Sequence, residues 1–243
     1  MKTITALFLL VCYPMVILSQ EKGAQETSKA SKNLFLDFSV GASIPLGSKY
    51  PGLDIDDEKA GFATTGFYLH GTLDWLGKRN LGLAIQITYQ SNPISSKVKN
   101  DTVAGNFFPI GSGNWQNIYL MAGPVFLKPI QKFIVDVKLL GGFIISTSPV
   151  FSMTNPETKQ KEEKTATGFG MGVDAGAAYK ISEHLALRLN LGYLAGFPSA
   201  SKEYFAYVLD PGLNQYVYTK LAEYEISKVI STFNGGVGLL IFF

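Results

Sequence analysis

ISTFNGGVGLLIFF, residues Ile230 to Phe243, ends the chain on an aromatic side chain. Phe233, Val237, Leu239, Ile241 and Phe243 share one parity, and Thr232, Asn234, Gly236 and Gly238 share the other. A period of two is that of a β-strand with one apolar face and one polar or small face. Soluble sheets also alternate in this way. In lipid, however, such a strand must belong to a closed sheet, because no edge can be left without hydrogen-bond partners. The fold therefore turns on whether the preceding residues supply matching strands.

Seven further segments do so. Leu34–Leu46 places Leu34, Leu36, Phe38, Val40 and Ile44 opposite Asp37, Ser39, Gly41 and Ser43. Phe62–Trp75 sets Phe67, Leu69, Leu73 and Trp75 against Tyr68, His70, Thr72 and Asp74. Leu81–Asn92, Phe133–Ser148, Gly168–Lys180 and Leu185–Phe197 alternate in the same manner. Asn114–Leu127 is the weakest of the set. Tyr119, Leu120 and Met121, and again Val125, Phe126 and Leu127, blur its faces, and Pro124 interrupts the donor row. Each segment reaches the roughly 9–11 residues with which a tilted strand crosses a bilayer.

Composition agrees with this pattern. Of 243 residues, 47% are hydrophobic and only 16% charged, below the roughly 25% charged of ordinary soluble domains. Past the N-terminal stretch no apolar run is long enough for a spanning helix. High apolar content without long apolar runs marks a transmembrane barrel. A net charge of +2 points away from nucleic acid as a partner.

At the N-terminus, Lys2, the apolar run Ala6–Leu18 and the polar stretch after it read as a secretory signal peptide. The expected organisation is a signal at 1–19, a polar periplasmic segment at 20–32 and one barrel domain at 33–243. Cys12 lies inside the signal, so the mature chain is expected to hold no disulfide and no cysteine-bound metal.

The connections alternate in length. Leu76–Asn80, Lys128–Lys132 and Ile181–His184 are tight turns. Gly47–Gly61, Pro93–Gly113, Pro149–Thr167 and Pro198–Val229 are long. Together these features predict an all-β fold: an eight-stranded antiparallel up-and-down transmembrane β-barrel with short periplasmic turns and long extracellular loops. Trp75, Phe133, Tyr179 and Phe243 then fall at the periplasmic rim, and Tyr89, Tyr193 and Phe197 at the outer rim, as two aromatic girdles that a soluble lipocalin would not need.

GASIPLG (Gly41–Gly47), MAGPVFLKP (Met121–Pro129), YKISEHLALRLNLGY (Tyr179–Tyr193) and GGVGLLIFF (Gly235–Phe243) carry a resemblance over essentially the whole mature chain. It resembles the small outer-membrane barrels of the OmpA/OmpX-like superfamily, in particular the outer membrane protein β-barrel domain of Bacteroidetes. The resemblance implies a Gram-negative outer membrane, lipid as surroundings and insertion by the barrel assembly machinery, with Phe243 as the assembly signal. No peptidoglycan-binding domain of the kind larger relatives carry is expected after Phe243, and the barrel is expected to be a monomer.

Function is expected in the lumen or the loops. Asp37, His70, Asp74, Gln86, Asp136, Lys138, Asp174, Arg188, Asn190 and Asn234 fall on the inward parity. Eight strands leave an interior that side chains fill, so these residues are expected to form a polar and ionic plug, with a structural or surface-interacting role for the protein. A narrow channel or transport accessory is the alternative, and a lipid A-modifying enzyme the second. His70 and Asp74 stand about 13 Å apart along one strand, so a partner for His70 has to come from a neighbouring strand such as Asp37. No catalytic residue, cofactor or metal is expected. Asp54, Asp56, Asp57 and Glu58 lack the spacing of a calcium loop, and Lys159–Lys164 reads as a solvated tip. Tyr204–Tyr224, with Asp210, Pro211 and Gly212 at its centre, reads as a Tyr-rich hairpin, either projecting toward an extracellular partner or adding two strands to the wall.

Overall fold

A computed structural model describes residues 34–52, 61–77, 80–96, 109–153, 165–210, 215–227 and 229–243. The signal segment, the 20–32 stretch, the acidic 54–58 cluster and the 159–164 tip lie outside them.

Eleven strands are described: β1 (Leu34–Leu46), β2 (Gly66–Leu76), β3 (Leu81–Pro93), β4 (Pro109–Ser112), β5 (Asn114–Ile130), β6 (Phe133–Thr147), β7 (Val150–Met153), β8 (Thr165–Lys180), β9 (Leu185–Asp210), β10 (Gln215–Ser227) and β11 (Ile230–Phe242). Eight of them, β1, β2, β3, β5, β6, β8, β9 and β11, form one antiparallel ring, in which β8 pairs with β9, β9 with β11 and β11 with β1. The ladder closes on itself, so the wall has no free edge. The first and last wall strands are matched from Phe35 opposite Phe242 to Leu46 opposite Ser231.

The polarity of the sheet is inside out. Val40, Leu69, Ile85, Leu120, Leu139, Phe143, Leu189 and Val237 face outward and are exposed, Phe143 by 70%. The alternate side chains, many of them charged or amide-bearing, are buried inside. Continuous exposed apolar surface on this scale requires an apolar solvent around the wall.

Tight turns join strands at one end. Gln131, with φ of 54°, lets the chain reverse between Ile130 and Phe133. At the same end Phe243 N donates to Leu34 O at 3.1 Å, which ties the terminus to the start of β1.

Several boundaries differ from the sequence expectation. The second strand begins at Gly66 rather than Phe62, because Phe62 has φ of 54° and the chain there leaves the β2 ladder, meeting the wall instead through an isolated bridge from Ala63 to Ile94 and through single hydrogen bonds such as Thr64 N to Pro93 O at 2.7 Å. The small β4–β7 sheet was expected as loop. Gly113, with φ of 94°, and Pro149 separate its two strands from the wall strands β5 and β6. The long hairpin adds no wall strands: β10 pairs only with the distal part of β9, from Ser199 to Asp210. It is an extension above the ring.

Candidate functional site

The lumen is layered, and cross-strand register decides what meets inside it. At the short-turn end Phe35 and Phe242 meet edge to face at 5.6 Å, and Leu76, Leu127, Ile134 and Leu240 complete an apolar floor.

Above the floor lies an ionic layer centred on Arg188, which is 0% exposed. Its Nε lies 2.9 Å from Asp37 Oδ2, and its Nη2 donates to Asp136 Oδ1 at 2.9 Å and to Asp174 Oδ1 at 3.2 Å. A second contact joins Nη1 to Asp136 Oδ2. Arg188 on β9 reaches Asp136 on β6 by crossing β8. The residue it crosses is Gly176, opposite Asp136 in the β6–β8 register, and a Cβ there would collide with the guanidinium. Toward β1 it crosses β11 at Gly238, its own partner in register. Gly176 thus clears the path of the longest buried side chain, while a Cβ at Gly238 would meet Ser39 and the Phe38 carbonyl.

Lys138 spans the lumen in the other direction, from β6 to Asp74 on β2, with Nζ to Oδ2 at 3.1 Å; Asp136 and Asp37 follow at 3.8 and 3.9 Å. The contacts of Lys138 Nζ and Arg188 Nε are close ion contacts without hydrogen-bond angles. Asp37 also accepts from Ser39 Oγ at 2.9 Å and lies 3.1 Å from His70 Nε2. His70 is opposite Ser39 in register, so Asp37 is its diagonal neighbour on the inner face.

An amide and hydroxyl layer lies over the ions. Tyr68 donates to Asn190 at 2.8 Å, and Asn190 Nδ2 lies 3.5 Å from Asp174. Gln86 bridges Thr72 and Thr88, and Gln90 donates to Thr232 at 2.8 Å and to Asn234 at 3.0 Å. Tyr119, Met121, Ile144 and Leu194 pack beside it.

The long-loop end is capped from the first loop. Tyr50 stacks edge to face on Trp115 at 5.7 Å, accepts from Asn117 Nδ2 at 3.1 Å and donates to Asn92 Oδ1 at 3.4 Å. Trp115 Nε1 donates to Gly61 O at 2.7 Å, and Asn92 Nδ2 to the carbonyls of Ser43 and Thr64, both at 3.0 Å. Burial pushes the Tyr50 phenol well above its ordinary range, so it stays protonated as a donor.

All ten residues expected inside, Asp37, His70, Asp74, Gln86, Asp136, Lys138, Asp174, Arg188, Asn190 and Asn234, are buried there. Asp37, His70, Asp74, Asp136, Lys138, Asp174 and Arg188 form one cluster, with Asn190 at its edge, while Gln86 and Asn234 belong to the layer above. The expected rim aromatics Trp75, Phe133, Tyr179, Tyr193, Phe197 and Phe243 are exposed on the outer surface. Phe133 and Tyr179 pair at 5.3 Å, and Tyr89 pairs with Phe67 at 5.9 Å. Ser39, Tyr68, Gln90 and Thr232 were legible from parity alone and belong with the inner set. The Tyr50 cap had no sequence signal, since a loop tyrosine carries no periodicity.

Among the described residues no group of three or more His, Cys, Asp or Glu side chains has metal-binding geometry. The carboxylates are engaged by Arg188 and Lys138 instead.

No family model matches the chain, and no curated protein matches it. Solved structures do. Neisserial surface protein A is 11% identical, covering 86% of this chain and 97% of its own, with a TM-score of 0.47. The attachment invasion locus protein Ail of Yersinia pestis is 15% identical, covering 87% and 100%, at 0.44. The outer membrane protein OprG of Pseudomonas aeruginosa is 12% identical, covering 87% and 97%, at 0.49. The closed ladder itself makes this chain an eight-stranded antiparallel β-barrel, the architecture in which it is similar to these small outer-membrane proteins.

Proposed function

We propose that the protein is an integral outer-membrane barrel with a closed lumen, and that its work is structural or done at the surface above the membrane. One observation carries this: a buried ionic strut crosses the lumen between an apolar floor and the Tyr50–Trp115 cap. Ions passing through would have to displace Lys138 and Arg188 from their carboxylates, leaving buried charges unpaired at several kcal/mol each. The exposed apolar wall supports the membrane setting, and the short turns and both wall termini are assigned to the periplasmic side. In the same proposal Phe243 is read by the assembly machinery, and the β9–β10 extension is the part that meets a partner.

Planar-bilayer recording tests the closed lumen. We expect no steady conductance from folded protein; a large, steady pore would overturn the proposal in favour of a channel.

The His70–Asp37 pair belongs to the strut and to no catalytic site. Ser39 donates to Asp37 rather than to His70, so the set lacks a hydroxyl activated by the imidazole. Lipid A from cells overexpressing the protein should keep its acyl pattern by mass spectrometry. A changed pattern would restore the enzymatic alternative.

A further inference from the structure

Above the ring the chain has the strand edges that its wall lacks. Ser227 stands opposite Ser199 and Ile230 opposite Gly196, so β10 and β11 hold one register against β9. The β9–β10 ribbon is therefore the β9–β11 wall ladder carried outward. On its other side β9 parts from β8. Their last pair is Thr167 with Ser199, yet β8 stays with β6 beyond that level, as far as Thr165 opposite Thr147. From Ala200 to Asp210 the edge of β9 on the β8 side has no partner strand among the described residues.

The two edges of the ribbon are not equivalent. β10 is bulged: Lys220 pairs with Phe205 and Ala222 with Tyr204, which leaves Leu221 extra, and a bulge spoils an edge as a template for a further strand. β9 pairs residue by residue from Ser199 to Asp210 and holds no proline in that stretch. Its open edge keeps a regular row of backbone donors and acceptors.

Charge narrows what fits against that row. Residues 199–227 carry Glu203, Asp210, Glu223 and Glu225 against Lys202 and Lys220. Glu203 and Glu223 are direct partners in register, and like charges so placed weaken a two-stranded ribbon. A third strand with a cationic residue level with Glu203 relieves that repulsion.

We propose that the β9 edge from Ala200 to Asp210 is a docking site for an extended basic segment of a partner protein. The segment adds as an antiparallel strand, running down toward the membrane and ending where β8 takes over the pairing. Main-chain hydrogen bonds supply the affinity, and cationic residues at alternate positions supply the selection. A second copy in the same membrane is a poorer occupant. It stands the same way up, so its β9 runs parallel to this one, and the strand it offers in the antiparallel sense is the bulged β10. The site rests on the surface role proposed above and names the chemistry of the partner.

The test uses the folded full chain in neutral detergent and a short fluorescein-labelled peptide in which lysine alternates with valine. Anisotropy should show saturable binding. Two N-methylated forms of the peptide, blocking one or the other alternate set of N–H groups, should differ: one binds about tenfold more weakly, while the other binds like the parent, because only every second N–H faces the edge. Glu203→Gln/Glu223→Gln should weaken binding of the lysine peptide about fivefold. No binding by wild type, equal effects of the two methylation patterns, or binding that survives replacement of Tyr204–Tyr224 by a short turn would overturn the site. Binding that appears only once residues 154–164 are shortened would assign the edge to the chain's own segment, and a dimer lost on replacing Tyr204–Tyr224 would assign it to a second copy; either overturns the partner assignment. Heat-modifiable migration and bilayer recording of the same samples report on the closed barrel itself, so failure of this site is distinguished from failure of that reading.

Discussion

Arg188→Met asks whether the ionic layer holds the barrel closed. The side chain removed is fully buried and engages Asp37, Asp136 and Asp174 together. Methionine keeps much of the volume, so the dominant loss is electrostatic. Wild type sets four buried carboxylates, Asp37, Asp74, Asp136 and Asp174, against Lys138 and Arg188, with His70 beside Asp37. The substitution removes half of the permanent positive charge and leaves Asp136 with Lys138 at 3.8 Å as its nearest remaining cation. Stripping one partner from a buried ion pair costs about 3–5 kcal/mol, against total stabilities of about 5–15 kcal/mol. The folding equilibrium should therefore fall by roughly two to three and a half orders of magnitude. Urea titration in lipid vesicles, followed by Trp75 and Trp115 fluorescence and by the heat-modifiable gel band, measures it. Arg188→Met/Asp136→Asn removes one orphaned carboxylate as well and should recover about 1–3 kcal/mol of the loss, a coupling of the size expected for groups in direct contact. If Arg188→Met lies within about 1 kcal/mol of wild type, or if the two changes simply add, the strut is not what stabilises the lumen.

Three further outcomes follow from the same geometry. Gly176→Ala puts a methyl group where the Arg188 guanidinium lies and should cost about 1–3 kcal/mol in the same titration; in an Arg188→Met background much of that cost should disappear, and a persistent full cost would show that the glycine acts through the backbone instead. Tyr50→Ala removes the partner of Asn92 and Asn117 and uncovers Trp115, so Trp115 emission should shift to the red while bilayer recordings stay silent, because the ionic layer still closes the lumen; steady conductance in this variant would place the only seal at the mouth. Replacing Tyr204–Tyr224 by a short turn should leave heat-modifiable migration intact, since β10 contacts the wall sheet only through the distal half of β9, and a lost folded band would contradict that topology.

The strands were readable because lipid imposes one rule on every outward position. Leu185, Leu187, Leu189 and Leu191 alternate with Ala186, Arg188 and Asn190, and no tertiary detail is needed to assign the faces. β5 blurred for a physical reason. Its inner face, with Trp115, Tyr119, Met121, Val125 and Leu127, fills apolar layers of the lumen, so both faces of that strand are greasy. Pro124 is tolerated because the β5–β6 ladder omits only Gly123 and Pro124 and resumes in the same register at Val125. Parity also named the inner polar residues but not their pairing. That Lys138 crosses to Asp74 while Asp174, its direct partner in register, goes to Arg188 depends on side-chain reach across a closed ring. The cap was illegible, since it needs Tyr50 from a loop to find Trp115 on β5.

The great length of β9 has a mechanical meaning. Its lower part is clamped on both sides, by β8 and by β11, while residues 200–210 carry on upward, bonded to β10 alone. At the ordinary rise per residue that stretch is on the order of 36 Å of backbone. A pull along the hairpin axis would load the β9 ladders within the wall in shear, with many hydrogen bonds resisting at once. A sideways pull on β10 would instead open the hairpin one bond at a time from its tip. The extension is therefore stiff toward tension along the barrel and yielding toward peeling, a directional handle anchored in the ring.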